Sequence, residues 1–281
     1  MSVVISSSLV LSRALVGDAV NGNSPIIGYE NRVTVDNIET TSEDPNFPAT
    51  NLANVATHEL WKGISGSPAA GDEYITITTA TSEEIDYVGI ANHNLGSGLF
   101  PVSVEVQAGE FDSFVEVISD RFLVDDKPVI FRFTPQAATA VRVKIQASQA
   151  AVPVVPEAAV VYVGKLLVLQ RRIYVGHTPI PYGRNTQVIN GKSESGNFLG
   201  RIIVGETRST GISMSNMTPA WYRTYMDPFV VSAQSKPFFF NWRPLDYPEE
   251  SGFCWVTDEP RPSNQRPNGM MQIAFQMNGI V

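Results

Sequence analysis

Polar and apolar residues alternate with a period of two along much of the first half of this chain. Val102, Val104 and Val106 fall on one face of residues 102–107, and residues 141–146 repeat the pattern with Arg142 and Lys144 on the wet side. Successive side chains of a strand point to opposite faces, so this alternation predicts half-buried strands. Residues 32–35, 74–78, 114–118 and 129–133 read as further strands. Residues 85–91 are apolar apart from Asp86, as in a strand buried on both faces, and residues 85–96 end in a polar turn at Asn92, His93 and Asn94. A compact loop over residues 47–63 delivers Trp61 into another strand. No helical period of comparable strength interrupts this half, so an antiparallel sandwich is predicted.

The ends of this sandwich are less sharply marked. Residues 1–22 hold two short apolar runs around serines, which suits an arm or edge strand pairing elsewhere, or a partly ordered terminus. Residues 149–156 are small, apolar and proline-punctuated, and residues 160–169 read as a closing strand with a glycine break. The connection onward is too apolar for a flexible tether, so two packed halves are expected, over residues 23–170 and 171–281.

In the second half, strands are predicted over 186–190, 201–207, 211–216, 237–242, 252–256 and 270–277. One helix is expected near 219–232, with Thr218 as N-cap and Pro219 at the first helical position. Trp221, Tyr222, Tyr225, Met226 and Phe229 then form one apolar stripe. Pro228 must kink the helix or restart it with Asp227. The fold class is therefore all-β and mainly antiparallel, with one short helix.

Composition narrows the function classes. Charged residues are only 17% of the chain, below the usual share of about 25%, and 19 Pro with 21 Gly suit many short strands or large interfaces. A net charge of -8 argues against non-specific nucleic-acid binding, which needs Lys and Arg on phosphates. Cys254 is the one cysteine, so an intrachain disulfide is impossible and a reducing cytoplasm fits. Arg13 and Asp18 interrupt the N-terminal apolar run, so neither a signal peptide nor membrane insertion is expected.

Candidate chemistry is sparse. Asn92, His93 and Asn94 could contact a ligand at a loop end; bonding to the backbone of a tight turn is the favoured reading. Trp61 would stack on a sugar if exposed, and burial in its strand is favoured. Glu43, Asp44, Glu83, Glu84 and Asp86 offer carboxylates, yet nothing in the sequence pairs two of them across a substrate. Asp258, Glu259, Glu249 and Glu250 fall in proline-rich loops, where solvation or ion pairing is expected. His58, His93 and His177 are isolated, so no metal site is expected, and no nucleophile or nucleotide fingerprint appears. No catalytic residue and no cofactor is assigned, and the protein is expected not to be an enzyme. Cys254, between Phe253 and Trp255, reads as a small buried residue. Phe238, Phe239, Phe240, Trp242, Phe253 and Trp255 form a core with the helix or partly meet a neighbouring subunit. Trp242, Arg243, Asp246, Tyr247, Arg261 and Arg266 have the residue types of an interface hot spot.

The order of loop, tryptophan strand and buried strand (residues 47–63, 74–78 and 85–96) resembles the opening of discoidin-type, galactose-binding-like jelly rolls. The wording of residues 85–98 looks closer still to the version in tail and baseplate proteins of tailed bacteriophages. The resemblance covers roughly the first 170 residues. It implies an N-terminal jelly roll and a β-rich assembly domain in a distal-tail-like protein. Such a protein would be assembled in the host cytoplasm and reside in the virion tail. Its partners would be copies of itself in a ring, sixfold by expectation, and the tail tube and other tail-tip proteins. The alternative is a receptor-recognition protein that holds a host-surface glycan in its jelly-roll loops, and a glycan-degrading enzyme comes third.

Overall fold

The computed structural model describes residues 2–9, 22–64, 71–173, 176–265 and 269–281. The fold is all-β and mainly antiparallel, as the alternation predicts, with one short helix besides 3-10 turns among the described residues. The first sheet runs in the order β4 (Trp61–Lys62), β9 (Glu157–Gly164), β5 (Glu73–His93), β8 (Val129–Ile145), β6 (Pro101–Gln107) and β7 (Val115–Phe122). On β5 also pairs β3 (Ile38–Thr40), while β1 (Val3–Ile5) joins β8 in parallel. The long strands β5 and β8 carry the sheet around a core that includes Trp61, Ile75, Val88, Phe100, Phe131 and Val143. This is the predicted sandwich of jelly-roll type. The N-terminal arm thus supplies β1 to the first half; its residues 10–21 lie outside the described residues.

The second sheet runs in the order β10 (Leu167–Val168), β2 (Ile26–Gly28), β13 (Phe238–Asn241), β14 (Ser251–Val256), β16 (Met271–Ile280), β12 (Phe198–Met217) and β11 (Arg184–Lys192), with β15 (Arg261–Asn264) on β16. Strands β2 and β10 fall within residues 23–170, yet both belong to this second sheet. The two halves are thereby laced together. Nothing in a three-residue apolar strand tells which sheet it will join.

The helix is continuous from Pro219 to Ala233 but changes pitch inside: α-turns over Pro219–Trp221, a π-turn over Tyr222–Met226, and α-turns over Asp227–Ala233. Pro228 has no N–H to give, and its ring crowds the preceding turn, so a local widening relieves both problems. Thr218 has extended N-cap geometry but caps nothing; Gln170 takes its N–H and donates to its hydroxyl at 2.9 and 3.1 Å. Trp221, Tyr222, Met226 and Phe229 are buried against Phe238, Phe240 and Phe275, while Tyr225 is half-exposed.

Between the sheets lies a third apolar layer of Tyr87, Ala91, Val160, Tyr162, Ile26, Phe239 and Phe253. On β5, Val88 and Ile90 enter the first core, while Tyr87 and Ala91 enter this seam, so the strand is buried on both faces. The seam is keyed in both directions. A Cβ on Gly89 would sit 2.6 Å from the Phe239 ring, and one on Gly28 would sit 2.6 Å from the Tyr87 ring. Each aromatic fills the space that the opposing glycine leaves open. The Tyr162 hydroxyl then donates to the Pro237 carbonyl at 3.1 Å. The aromatic cluster is therefore divided: Phe238 and Phe240 in the second core, Phe239 and Phe253 in the seam, and Trp255 41% exposed.

Candidate functional site

The polar turn after β5 is built for structure. His93 is buried; its Nδ1 accepts from the Leu95 N–H and its Nε2 meets the Lys127 carbonyl at 2.9 Å. Asn92, with a left-handed φ of 52°, donates to the Thr57 carbonyl. Asn94 clamps the segment before β9, donating to the Val155 carbonyl at 2.8 Å and accepting from the Glu157 N–H at 3.0 Å. Trp61 is fully buried, its indole N–H on the Ser42 carbonyl at 3.2 Å, so it presents no face to a sugar.

Beside this turn lies an open groove of about 600 Å³. Asp44, Lys62, Asn94 and Glu157 supply its polar groups, and Val154 and Val155 part of its apolar wall. Lys62 pairs with Glu157 at 3.0 Å and lies 4.6 Å from the Phe47 ring centre. Of the four predicted glycan contacts, Asn94 alone lines it. Among the described residues no cluster of His, Cys, Asp and Glu could hold a metal, and no helix is long and apolar enough to cross a membrane. Burial pushes the Cys254 thiol up, so it stays protonated.

Two buried groups near these strands titrate in opposite senses. Burial raises Asp86 from 3.8 to about 7, although the Leu166 N–H and the Arg132 charge pull it down. The folded state holds that proton more tightly than the unfolded chain, so stability falls as pH rises from about 4 to 7. Burial lowers His93 from 6.5 to about 4, against Asp126 and the Lys127 carbonyl, so stability rises with pH between those values. Each trend is worth on the order of a few kcal/mol, and they oppose one another. Asp86→Asn is expected to unmask the histidine: urea midpoints from pH 4 to 6.5 should climb more steeply than in the wild type. Parallel profiles would contradict this.

The predicted hot-spot residues divide. Trp242 stacks on Tyr247 with centroids 5.6 Å apart and planes 8° from parallel, Arg243 caps the indole at 4.7 Å, and Asp246 pairs with Arg243 at 3.7 Å. The indole N–H goes to Glu250, and Asn23 holds the loop by accepting from the Leu245 and Asp246 N–H groups. Most polar groups of this loop are thus satisfied within the chain. Arg261 is exposed on β15 beside Glu259, and Arg266 lies outside the described residues.

A larger unsatisfied surface lies elsewhere. Strand β12 pairs with β16 only from Arg208 onward, so β11 and residues 198–207 project as a two-stranded ribbon. It is about 30 Å long at the usual rise per residue. Ile189, Phe198, Leu199, Ile202, Ile203 and Val204 on it are each 59–69% exposed. The pairing places Gln187, Ile189, Gly191, Gly200, Ile202 and Gly205 on one face. The other face holds Val188, Phe198 and Ile203 with Arg184, Lys192, Arg201 and Arg208, so all the ribbon's basic residues lie there, together with Glu206, which pairs with Arg208 at 2.7 Å. Gly205 has an ordinary φ, and a Cβ there would meet nothing within 4 Å. Neither backbone nor packing within the chain calls for glycine at that point, and glycine weakens a strand. Sequence reasoning found these strands and missed their exposure. The adjacent Ile202, Ile203 and Val204 were the available signal, since an unalternating apolar run needs cover on both faces.

No protein-family model matches this chain, and no curated protein matches it in sequence. Among solved structures, it is similar to chitosan-binding module 1 of a chitosanase/glucanase from Paenibacillus sp. IK-5, at 15% identity and a TM-score of 0.41, over 48% of this chain and 98% of that one. A module from Clostridium perfringens, CpGH89CBM32-5, in complex with GalNAc-beta-1,3-galactose, is similar at 14% identity and a TM-score of 0.37, over 45% and 93%. The CBM32 of AlyQ, in complex with 4,5-unsaturated mannuronic acid, is similar at 18% identity and a TM-score of 0.39, over 48% and 96%.

Proposed function

We propose that this protein is a self-assembling structural component of a phage tail tip, acting by docking and carrying out no chemistry. The observation that supports this reading is the ribbon. An isolated two-stranded hairpin is at best marginally stable in water, and an apolar patch exposed on both faces of one is a partner surface. The resemblance of residues 85–98 to tail and baseplate proteins supplies the virion context. In this reading the ribbon joins copies into a ring, sixfold by expectation, formed in the host cytoplasm and docked to the tail tube and other tail-tip proteins. Ile203→Asp tests it with little risk to the fold, because that side chain is 64% exposed and belongs to none of the three apolar cores. Electron micrographs of the wild type should show closed rings, and the variant should weaken assembly while melting normally. Single particles without rings in the wild type would sink the proposal.

A second reading, binding of a host-surface glycan, is favoured by the groove beside Asn94. There Lys62, Asp44 and Glu157 present hydrogen-bonding groups next to valine side chains. Glycan-array binding that Lys62→Ala abolishes would support it, and an empty array would dismiss it.

A further inference from the structure

The ribbon needs an occupant, and charge selects one. Residues 184–208 carry four basic and two acidic residues on a chain whose total is -8, so the remainder carries -10. A basic arm on an acidic body is electrostatically matched to a second copy of itself. The body offers a surface of the right sign with exposed apolar side chains at one edge of the first sheet. Residues 110–126 hold six acidic residues against Arg121 alone. Phe111, Val115 and Val124 there are 95%, 61% and 79% exposed. Strand β7, within this segment, ends the first sheet, so its outer backbone edge is open among the described residues. Open, apolar strand edges are ready-made pairing surfaces.

We propose that the basic face of the ribbon of one copy docks on the acidic β7 edge of a second copy, head to tail. This rests on the assembly reading above and names the two surfaces it uses. The contact is heterologous: ribbon and edge are different patches, so each copy has one of each to offer. Such contacts either close into a ring or propagate as a filament. The basic residues meet the acidic ones at the rim, while Val188, Ile203 and Phe198 cover the apolar side chains of the edge. Association should therefore weaken as salt rises.

Charge reversal in two separate preparations tests the pairing by sedimentation velocity of the full chain. One preparation carries Lys192→Glu with Arg201→Glu, and the other Glu116→Arg with Asp120→Arg. Each alone should associate at least about ten-fold more weakly than the wild type, equivalent to about 1.4 kcal/mol per contact. Mixed together they should co-assemble, because every contact in an alternating assembly then joins opposite charges. Wild-type-like association of either preparation, or failure of the mixture to recover, would overturn the pairing. If Ile203→Asp still weakens wild-type assembly in that case, the assembly reading survives without it. A wild type that stays monomeric would remove both.

Discussion

Excising residues 186–206 and joining Asn185 to Thr207 through an Asn-Gly turn is expected to leave a folded chain that no longer associates. Asn185 and Thr207 are paired in the ribbon, so a two-residue turn can close it there. The removed segment contributes to none of the three apolar cores, so folding should lose little. Association should lose at least about a hundred-fold, near 2.7 kcal/mol, because every apolar contact the ribbon makes with a neighbour disappears at once. Sedimentation and circular dichroism on the same sample give both answers. Assembly that persists after excision would place the interface elsewhere, with the Trp242 loop as the next surface to examine.

The second large effect lies in the seam. Gly89→Val is expected to destabilise the chain by about 3 kcal/mol or more, since a Cβ there would sit 2.6 Å from a fully buried Phe239 ring. Phe239→Leu alone should cost a few kcal/mol through the cavity it leaves. The two together should cost less than their sum, because the smaller side chain makes room for the valine. Chemical denaturation of all four chains yields this coupling. Strict additivity would mean that ring and glycine are not in contact. The seam also makes the two halves unfold together, so one transition is expected where two loosely joined domains would give two.

Much of the first half is legible in the sequence because several of its strands have a dry and a wet side, while β5 betrays its two buried faces by an apolar run. Residues 102–107 and 141–146 show this by their alternation, and Arg142 confirms the wet side by lying between the Tyr74 and Phe114 rings. The helix is legible too, through Pro219 and its aromatic stripe. The seam is not, because whether Phe239 faces a core or a second sheet depends on what β5 brings opposite it. Strand β2 is hidden for the same reason: Ile26 and Ile27 enter different layers, and no local rule sorts them. The ribbon misleads in the opposite direction. An apolar run such as Ile202, Ile203 and Val204 reads as interior, and in a single copy it lies in water. At the turn after β5, the Asn and His side chains bond to backbone groups, which is the reading their residue types favour over a ligand contact.

Hydrogen exchange at several protein concentrations addresses the central claim directly. In a lone molecule the ribbon amides have one neighbouring strand and water on every other side, so they should exchange rapidly. If the ribbon is the joint between copies, protection over residues 184–208 should rise steeply with concentration, with a matching rise over residues 110–126 and little change in β5 or β14. Fast exchange throughout the ribbon at every concentration, in a sample that sediments as an oligomer, would contradict the account.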